Sequence, residues 1–327
     1  MMRYANFIVD ALFSVKQVVM KQIVMQQVVT TRSCASFKAL LSAYFELCKP
    51  KVVMLMLVTS VIGMLLAYPA IPDWYFLIFV LVTNTGIALC AAAAATMNHL
   101  IDRRIDALMQ RTHGRPLVSG RIKPAHAVVF AAALATTGTL ILLLWVNALT
   151  AWLTLISLVG YAVFYTVFLK RATPQNIVIG GLAGAMPPLL GWTAVTNHID
   201  YQGLLLVLII FVWTPPHFWA LALYKQDEYA KAGIPMLPVT HGASVTRLFI
   251  LLYIVLLVIV TSLPFLVQMN GWIYLSGVSL LNIVFLYWGV RIFLRKKQAD
   301  LMQAFRYSIL YLFLLFFCLL FDRYYFL

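Results

Sequence analysis

Asn98, Asp102 and Asp106 recur every four residues in the stretch Asn98-His99-Leu100-Ile101-Asp102-Arg103-Arg104-Ile105-Asp106. On a helix each step of four turns the azimuth by about 40° and rises about 6 Å, so the three side chains form a slanting row on one face. Amide and carboxylate oxygens are what a hard cation such as Mg²⁺ prefers, usually shared with substrate phosphates. The chain has only ten acidic residues, and two of them stand in this row. Basic residues lie within and after it: Arg103, Arg104, Arg111, Arg115, Arg121 and Lys123. An acid row beside a basic loop describes a metal-bridged anion, a diphosphate above all. The plainer alternative is that the acids merely balance nearby arginines.

Three further stretches carry chemistry. In Arg111-Thr112-His113-Gly114-Arg115-Pro116-Leu117 the guanidinium forks match phosphate oxygens, while Gly and Pro shape the loop. Tyr224-Lys225-Gln226-Asp227-Glu228-Tyr229 is a second acid cluster with a lysine, able to hold a second metal or clamp the diphosphate. Trp213-Thr214-Pro215-Pro216-His217-Phe218-Trp219 lies inside an apolar run, where a double proline should break a helix and open a cavity. There His217 could touch a substrate or ligate an iron, or simply pack, and Trp213, Phe218 and Trp219 could wall an apolar pocket. Gly180-Gly181, Gly184 and Pro187-Pro188 point to close helix packing or another broken helix.

The elements that must position these residues are membrane helices. The chain of 327 residues is 63% hydrophobic and 10% charged, with mean hydropathy +0.93. Ordinary soluble domains average about 25% charged residues, so a soluble domain is excluded. The apolar runs are continuous rather than alternating, which argues against a β-barrel. Nine spans are expected, at about 52–68, 74–97, 125–146, 149–169, 175–195, 202–223, 247–269, 272–292 and 305–321. The two long connections, 98–124 and 224–246, both follow even-numbered spans and face the same side. With the N-terminus in the cytoplasm, the inside segments hold 23 of the 24 Lys and Arg residues, leaving only Arg323 outside. The net charge of +14 is therefore a matter of topology first, and no nucleic-acid module is seen. Four cysteines (Cys34, Cys48, Cys90, Cys318) show no paired spacing, so neither disulfides nor a zinc site are indicated.

Residues 1–45 read as a cytoplasmic extension and 46–327 as the membrane domain. Asp10, Lys16 and Lys21 interrupt any signal-peptide core, and an organellar transit peptide is the other option. A shift of about 122 residues lays Asp106 beside Glu228 and Gly120 beside Gly242, from either an internal duplication or coincidence.

The row Asn98…Asp102…Asp106 with Arg111-Thr112…Arg115-Pro116-Leu117 resembles the intramembrane UbiA-type prenyltransferases. The Trp-Thr-Pro-Pro-His-Phe-Trp run, the Tyr224–Val239 segment that follows, and Tyr44-Phe45-Glu46-Leu47-Cys48-Lys49-Pro50-Lys51-Val52-Val53 are similar, more narrowly, to the protoheme IX farnesyltransferase (heme O synthase) branch. The likeness covers about residues 40–320. It implies an all-α fold of nine helices around a central cavity, with both motifs on the cytoplasmic side. It also implies transfer of a farnesyl group from farnesyl diphosphate to a vinyl group of heme b, giving heme O.

The same resemblance implies Mg²⁺ on Asn98, Asp102 and Asp106, with Asp227 as an additional ligand. Catalytic residues would be these three with Lys225 and Asp227. Diphosphate would meet Arg103, Arg111, Arg115 and Lys225, and heme would meet His217, Trp213, Tyr224 and Tyr229. Many members carry a second aspartate four residues on in the second motif; here that position is Lys231, which puts a conventional second metal in doubt. A bacterial inner membrane is implied ahead of a mitochondrial one, with heme A synthase or a terminal oxidase taking the product. The rivals are a prenyltransferase with a quinone or tetrapyrrole-precursor acceptor, a transporter, and a heme-assembly protein without catalysis. A transporter would carry its acids near the midplane, not at one face.

Overall fold

The computed structural model describes residues 37–107, 112–169, 173–231, 233 and 235–325. The chain divides into two units, 1–46 and 47–327. In the first, the described residues 37–46 are helical. The second is built of helices alone among the described residues.

Its order is α1 (Pro50–Ala67), α2 (Trp74–Asp106), α3 (Pro124–Trp145), α4 (Ala148–Val159) and α5 (Asn176–Ala185), then α6 (Pro187–Thr196), α7 (Tyr201–Tyr224), α8 (Gln226–Lys231), α9 (Gly242–Leu266), α10 (Trp272–Arg295) and α11 (Gln298–Tyr325). Among the described residues, eight helices are long and apolar enough to cross a bilayer, with α5 and α6 counted as one. The passage expected at 149–169 is present in another form: α4 runs on as a π-helix, Gly160–Leu169. The connection expected over 98–124 is shorter than its sequence implies, because α2 continues to Asp106 and carries the oxygen row on its last turns.

Local chemistry accounts for the ends. Asp73 accepts a hydrogen bond from the Phe76 amide at 2.7 Å and starts α2. Asn147 does the same for Thr150 at 2.8 Å, while its own amide reaches the carbonyls of Thr193 and Ala194. Pro50, Pro124 and Pro187 stand in the first turns of their helices, where a missing N–H costs nothing.

The two proline pairs behave differently. Pro187-Pro188 breaks the passage into α5 and α6 at Met186. Pro215-Pro216, expected to break α7, lies inside a continuous helix. There buried Trp213 and Trp219 pin both sides of the pair, and the Thr214 hydroxyl adds a bond to the Ile210 carbonyl at 2.7 Å.

Lipid is as apolar as leucine, so these helices associate through close packing and polar bonds rather than a hydrophobic drive. At the crossing of α1 and α6, a Cβ on Gly63 would lie 2.1 Å from the Pro188 carbonyl oxygen. One on Gly191 would lie 2.0 Å from that of Ser60. Only hydrogen fits there. Between α9, α10 and α11, Tyr311 donates to Asn282 at 2.6 Å, Asn282 to Thr261 at 3.0 Å, and Tyr274 to the Thr261 carbonyl at 2.7 Å. A shift of about 122 residues carries α2 onto α7 and α8, α3 onto α9, α4 with its π segment onto α10, and the α5–α6 passage onto α11. Gly120 and Gly242, which it superposes, are both left-handed, at φ 73° and 79°.

Candidate active site

The last three turns of α2 bring the predicted row together. Asn98, Asp102 and Asp106 are 4%, 1% and 5% exposed. Asn98 donates its amide N–H to Asp102 Oδ2 at 2.9 Å and, more weakly, to Thr166 Oγ1 at 3.4 Å. The Asn98 oxygen accepts from the ammonium of Lys49. Asp106 Oδ2 holds Arg115 at 2.6 Å, and the Thr112 hydroxyl donates to the Asp106 carbonyl at 2.9 Å, folding the following loop back on the helix. Arg121 ties that loop to itself through Ser119 and the Gly114 carbonyl.

The electrostatics of this end are one-sided. Two buried carboxylates sit at a helix C-terminus, where the backbone dipole is also negative. A diphosphate would be repelled unless cations intervene, and Lys49 and Arg115 are two that already do. The donor set suits Mg²⁺ for the same reason: it offers hard oxygens along one face. Among the described residues no three His, Cys, Asp or Glu side chains gather closely enough to hold a metal by themselves. A shared site, with substrate phosphates completing the shell, is how Mg²⁺ is ordinarily bound.

Other predicted residues fall less simply. Arg111 lies outside the described residues. Arg103 is half-buried, and its carbonyl accepts from the Ala107 amide at the end of α2. Lys225 pairs with Glu228 at 2.7 Å, while Asp227 and Tyr224 are exposed beside them. Tyr229 is buried, and the π-helix reaches the row through Thr166, which accepts from Asn98.

Two cavities lie among these helices. The first, with an empty volume of about 740 Å³, has Lys49 on its wall and runs along α2 past Ala95, Ala94 and Ala91 to Ile87 and Leu190. The second, of about 950 Å³, lies between α5 and α7 and includes Tyr165, Trp213, Thr214 and Phe218. His217 lines neither. Its ring is stacked between Trp213 (centroids 4.3 Å) and Phe305 (4.6 Å). Ser308 Oγ donates to the Phe305 carbonyl at 2.7 Å, so the 2.6 Å contact is donated by His217 Nδ1, and Nε2 keeps its lone pair. The Trp213 indole donates to the Ser308 carbonyl at 2.9 Å.

A family model described as the UbiA prenyltransferase family matches residues 56–319. The chain belongs to the UbiA prenyltransferase family. Within it, this UbiA chain is 60% identical over 283 residues to the protoheme IX farnesyltransferase of Teredinibacter turnerae, covering 86% of this chain and 90% of that one. It is 59% identical over 281 residues to protoheme IX farnesyltransferase 1 of Pseudomonas putida, covering 86% and 94%. Among solved structures it is similar to a digeranylgeranylglyceryl phosphate synthase, with TM-score 0.74 and 20% identity over 87% of this chain and 98% of that one. It is also similar to a UbiA homologue from Archaeoglobus fulgidus bound to DMAPP and Mg²⁺, with TM-score 0.59 and 18% identity over 84% and 98%. These structural likenesses concern the fold.

Sequence reasoning gave no role to several residues that the UbiA fold gathers here. Lys49 lies 49 residues from its partner Asn98, and a lysine at the foot of a span looks like an ordinary topogenic charge. Thr166, Tyr161 and Tyr165 sit in an apolar run whose π geometry has no pattern in the sequence. His99, next to the row, is 3% exposed, and neither ring nitrogen is hydrogen-bonded to a described residue.

Proposed function

We infer that this chain transfers the farnesyl group of farnesyl diphosphate to a vinyl group of heme b, giving heme O and releasing diphosphate, in a magnesium-dependent reaction. One observation carries the reading: the Asn98/Asp102/Asp106 row ends at Lys49, on the wall of a long apolar cavity. The identity with protoheme IX farnesyltransferases over most of the chain supports heme as acceptor.

Magnesium, when bound to Asn98, Asp102 and Asp106, supplies a Lewis acid that neutralises the leaving diphosphate. Lys49 and Arg115, joined by Arg103, Arg111 and Lys225, take up charge on the leaving oxygens. Asp227 would hold an additional cation beside Lys225. The apolar first cavity takes the isoprenoid tail and excludes water until the C–O bond breaks. The ring of Tyr161 favours the allylic cation through its quadrupole. The vinyl π-electrons then form the new C–C bond, and water captures the cation left beside the macrocycle, its proton passing to solvent. Trp213 is a wall for heme, with His217 setting the angle of Trp213; Tyr224 and Tyr229 complete the acceptor side. The charge asymmetry supports a cytoplasmic N-terminus in a bacterial inner membrane, and heme O would pass to a terminal oxidase or a heme A synthase.

The test is a membrane assay with farnesyl diphosphate, heme b and Mg²⁺, reading pigments by mass. Wild type should yield a product heavier by farnesyl plus water. Asp102→Ala and EDTA should each lower the rate by at least about 10²-fold. Farnesyl diphosphate consumed with heme unchanged would overturn the acceptor. A folded wild type that touches neither substrate would favour a transporter.

A further inference from the structure

The two cavities share a wall. Val52 and Met56 of α1, Tyr161 of the π-helix and Gly184 of α5 line both. The Thr166 hydroxyl donates to the Tyr161 carbonyl at 2.7 Å and accepts from Asn98 at 3.4 Å, so this common wall adjoins the site of the leaving group. Of the four shared residues, three carry bulky side chains. A Cβ built on Gly184 would meet nothing within 4 Å, whereas one on Gly180 would strike the Tyr165 ring at 2.1 Å. Gly184 is thus a gap in the partition, not a packing glycine.

The chambers differ in chemistry. Lys49 gives the first a cationic wall beside the oxygen row. The second has no charged residue in its lining, which combines Gly180, Gly181 and Gly184 of α5 with the aromatic side chains Trp213 and Phe218 of α7. The glycine backbone and the Trp213 and Phe218 rings give this cavity flat surfaces that suit a planar guest.

Resting on the farnesyl-transfer reading, we propose that the second cavity is the acceptor chamber, taking the planar tetrapyrrole, and that Gly184 is the aperture through which its vinyl edge meets the allylic carbon. The step it serves forms a bond from the vinyl terminal carbon to the farnesyl C1 as the C–O bond breaks, the electron pair leaving with diphosphate. Reacting atoms must approach to about 3–3.5 Å, and a displacement of about 1 Å can cost about 10²-fold. A side chain at 184 would impose such a displacement without touching the metal row.

The experiment is the series Gly184→Ala, Gly184→Val and Gly184→Leu, assayed for three readouts: heme O formation, heme affinity by Soret absorbance, and Mg²⁺-dependent binding of farnesyl thiodiphosphate by calorimetry. The Ala variant, whose added methyl meets open space, should fold and lose little. The Leu variant should lose about 10²-fold in turnover and bind heme more weakly, with thiodiphosphate affinity unchanged. A reciprocal variant, Ile87→Phe at the far end of the first cavity, should weaken the thiodiphosphate and leave the heme titration unchanged. The aperture is overturned if wild type makes heme O and the whole series does so equally. It is overturned too if Gly184→Leu loses thiodiphosphate binding along with heme. Wild type that consumes farnesyl diphosphate but leaves heme untouched would instead overturn the underlying farnesyl-to-heme reading.

Discussion

Lys49 occupies a left-handed backbone position, φ 49° and ψ 57°, at the foot of α1. A non-glycine residue there costs about 1–2 kcal/mol, so the fold maintains a strained backbone to hold an ammonium against Asn98. That ammonium ends where an anion bridged to the row would lie. Replacing it with the isosteric but neutral methionine should lower kcat/KM by about 10²-fold, comparable to losing one oxyanion donor. Farnesyl thiodiphosphate binding should weaken while heme affinity stays as it was. Steady-state rates of Lys49→Met near wild type would show that the lysine only marks topology. The row itself was legible in the sequence, because its spacing of four is a helical signature that needs no partner. Lys49 was not: its meaning lies in a contact across the fold, and local patterns carry no trace of it.

At the scale of elements, hydropathy alone was enough to find the passages. It was not enough to give their internal geometry. The proline pairs at 187–188 and 215–216 look alike in sequence, yet one breaks its helix and the other does not. The difference lies in neighbours, tryptophans on one side and glycines on the other. The π-helix was equally hidden, since an i to i+5 ladder leaves no compositional mark, yet it turns Tyr161 and Tyr165 toward the cavities. The α1–α6 crossing makes its own prediction. A methyl at Gly191 cannot be accommodated without moving the α1 backbone, so Gly191→Ala should destabilise by about 1–3 kcal/mol or more. Thermal unfolding in detergent should show a clear drop for Gly191→Ala. Gly114→Ala, whose new atom meets nothing within 4 Å, should leave the midpoint where it is. Equal midpoints would mean the helices can part at little cost.

The whole molecule sorts charge by side, and the sorting predicts its orientation. Alkaline phosphatase fused within the 197–200 turn should be active, being outside, whereas a fusion at Lys123 should be inactive. The opposite pattern would invert the topology and move the row to the outer face. Fold class and the site's general address could be read from composition, charge and spacing. The two cavities could not, because a cavity is a property of several helices at once.

The near-repeat of helices across about 122 residues has a further consequence. It equates Asn98, Asp102 and Asp106 with Ala220, Tyr224 and Glu228. One half of the chain keeps an amide and two carboxylates in the row; its counterpart keeps one carboxylate. The bundle is therefore uneven, with its amide-and-carboxylate row in the first half. Departure is drawn toward the first half, and the glycine-walled chamber borders the helix whose own row has lapsed.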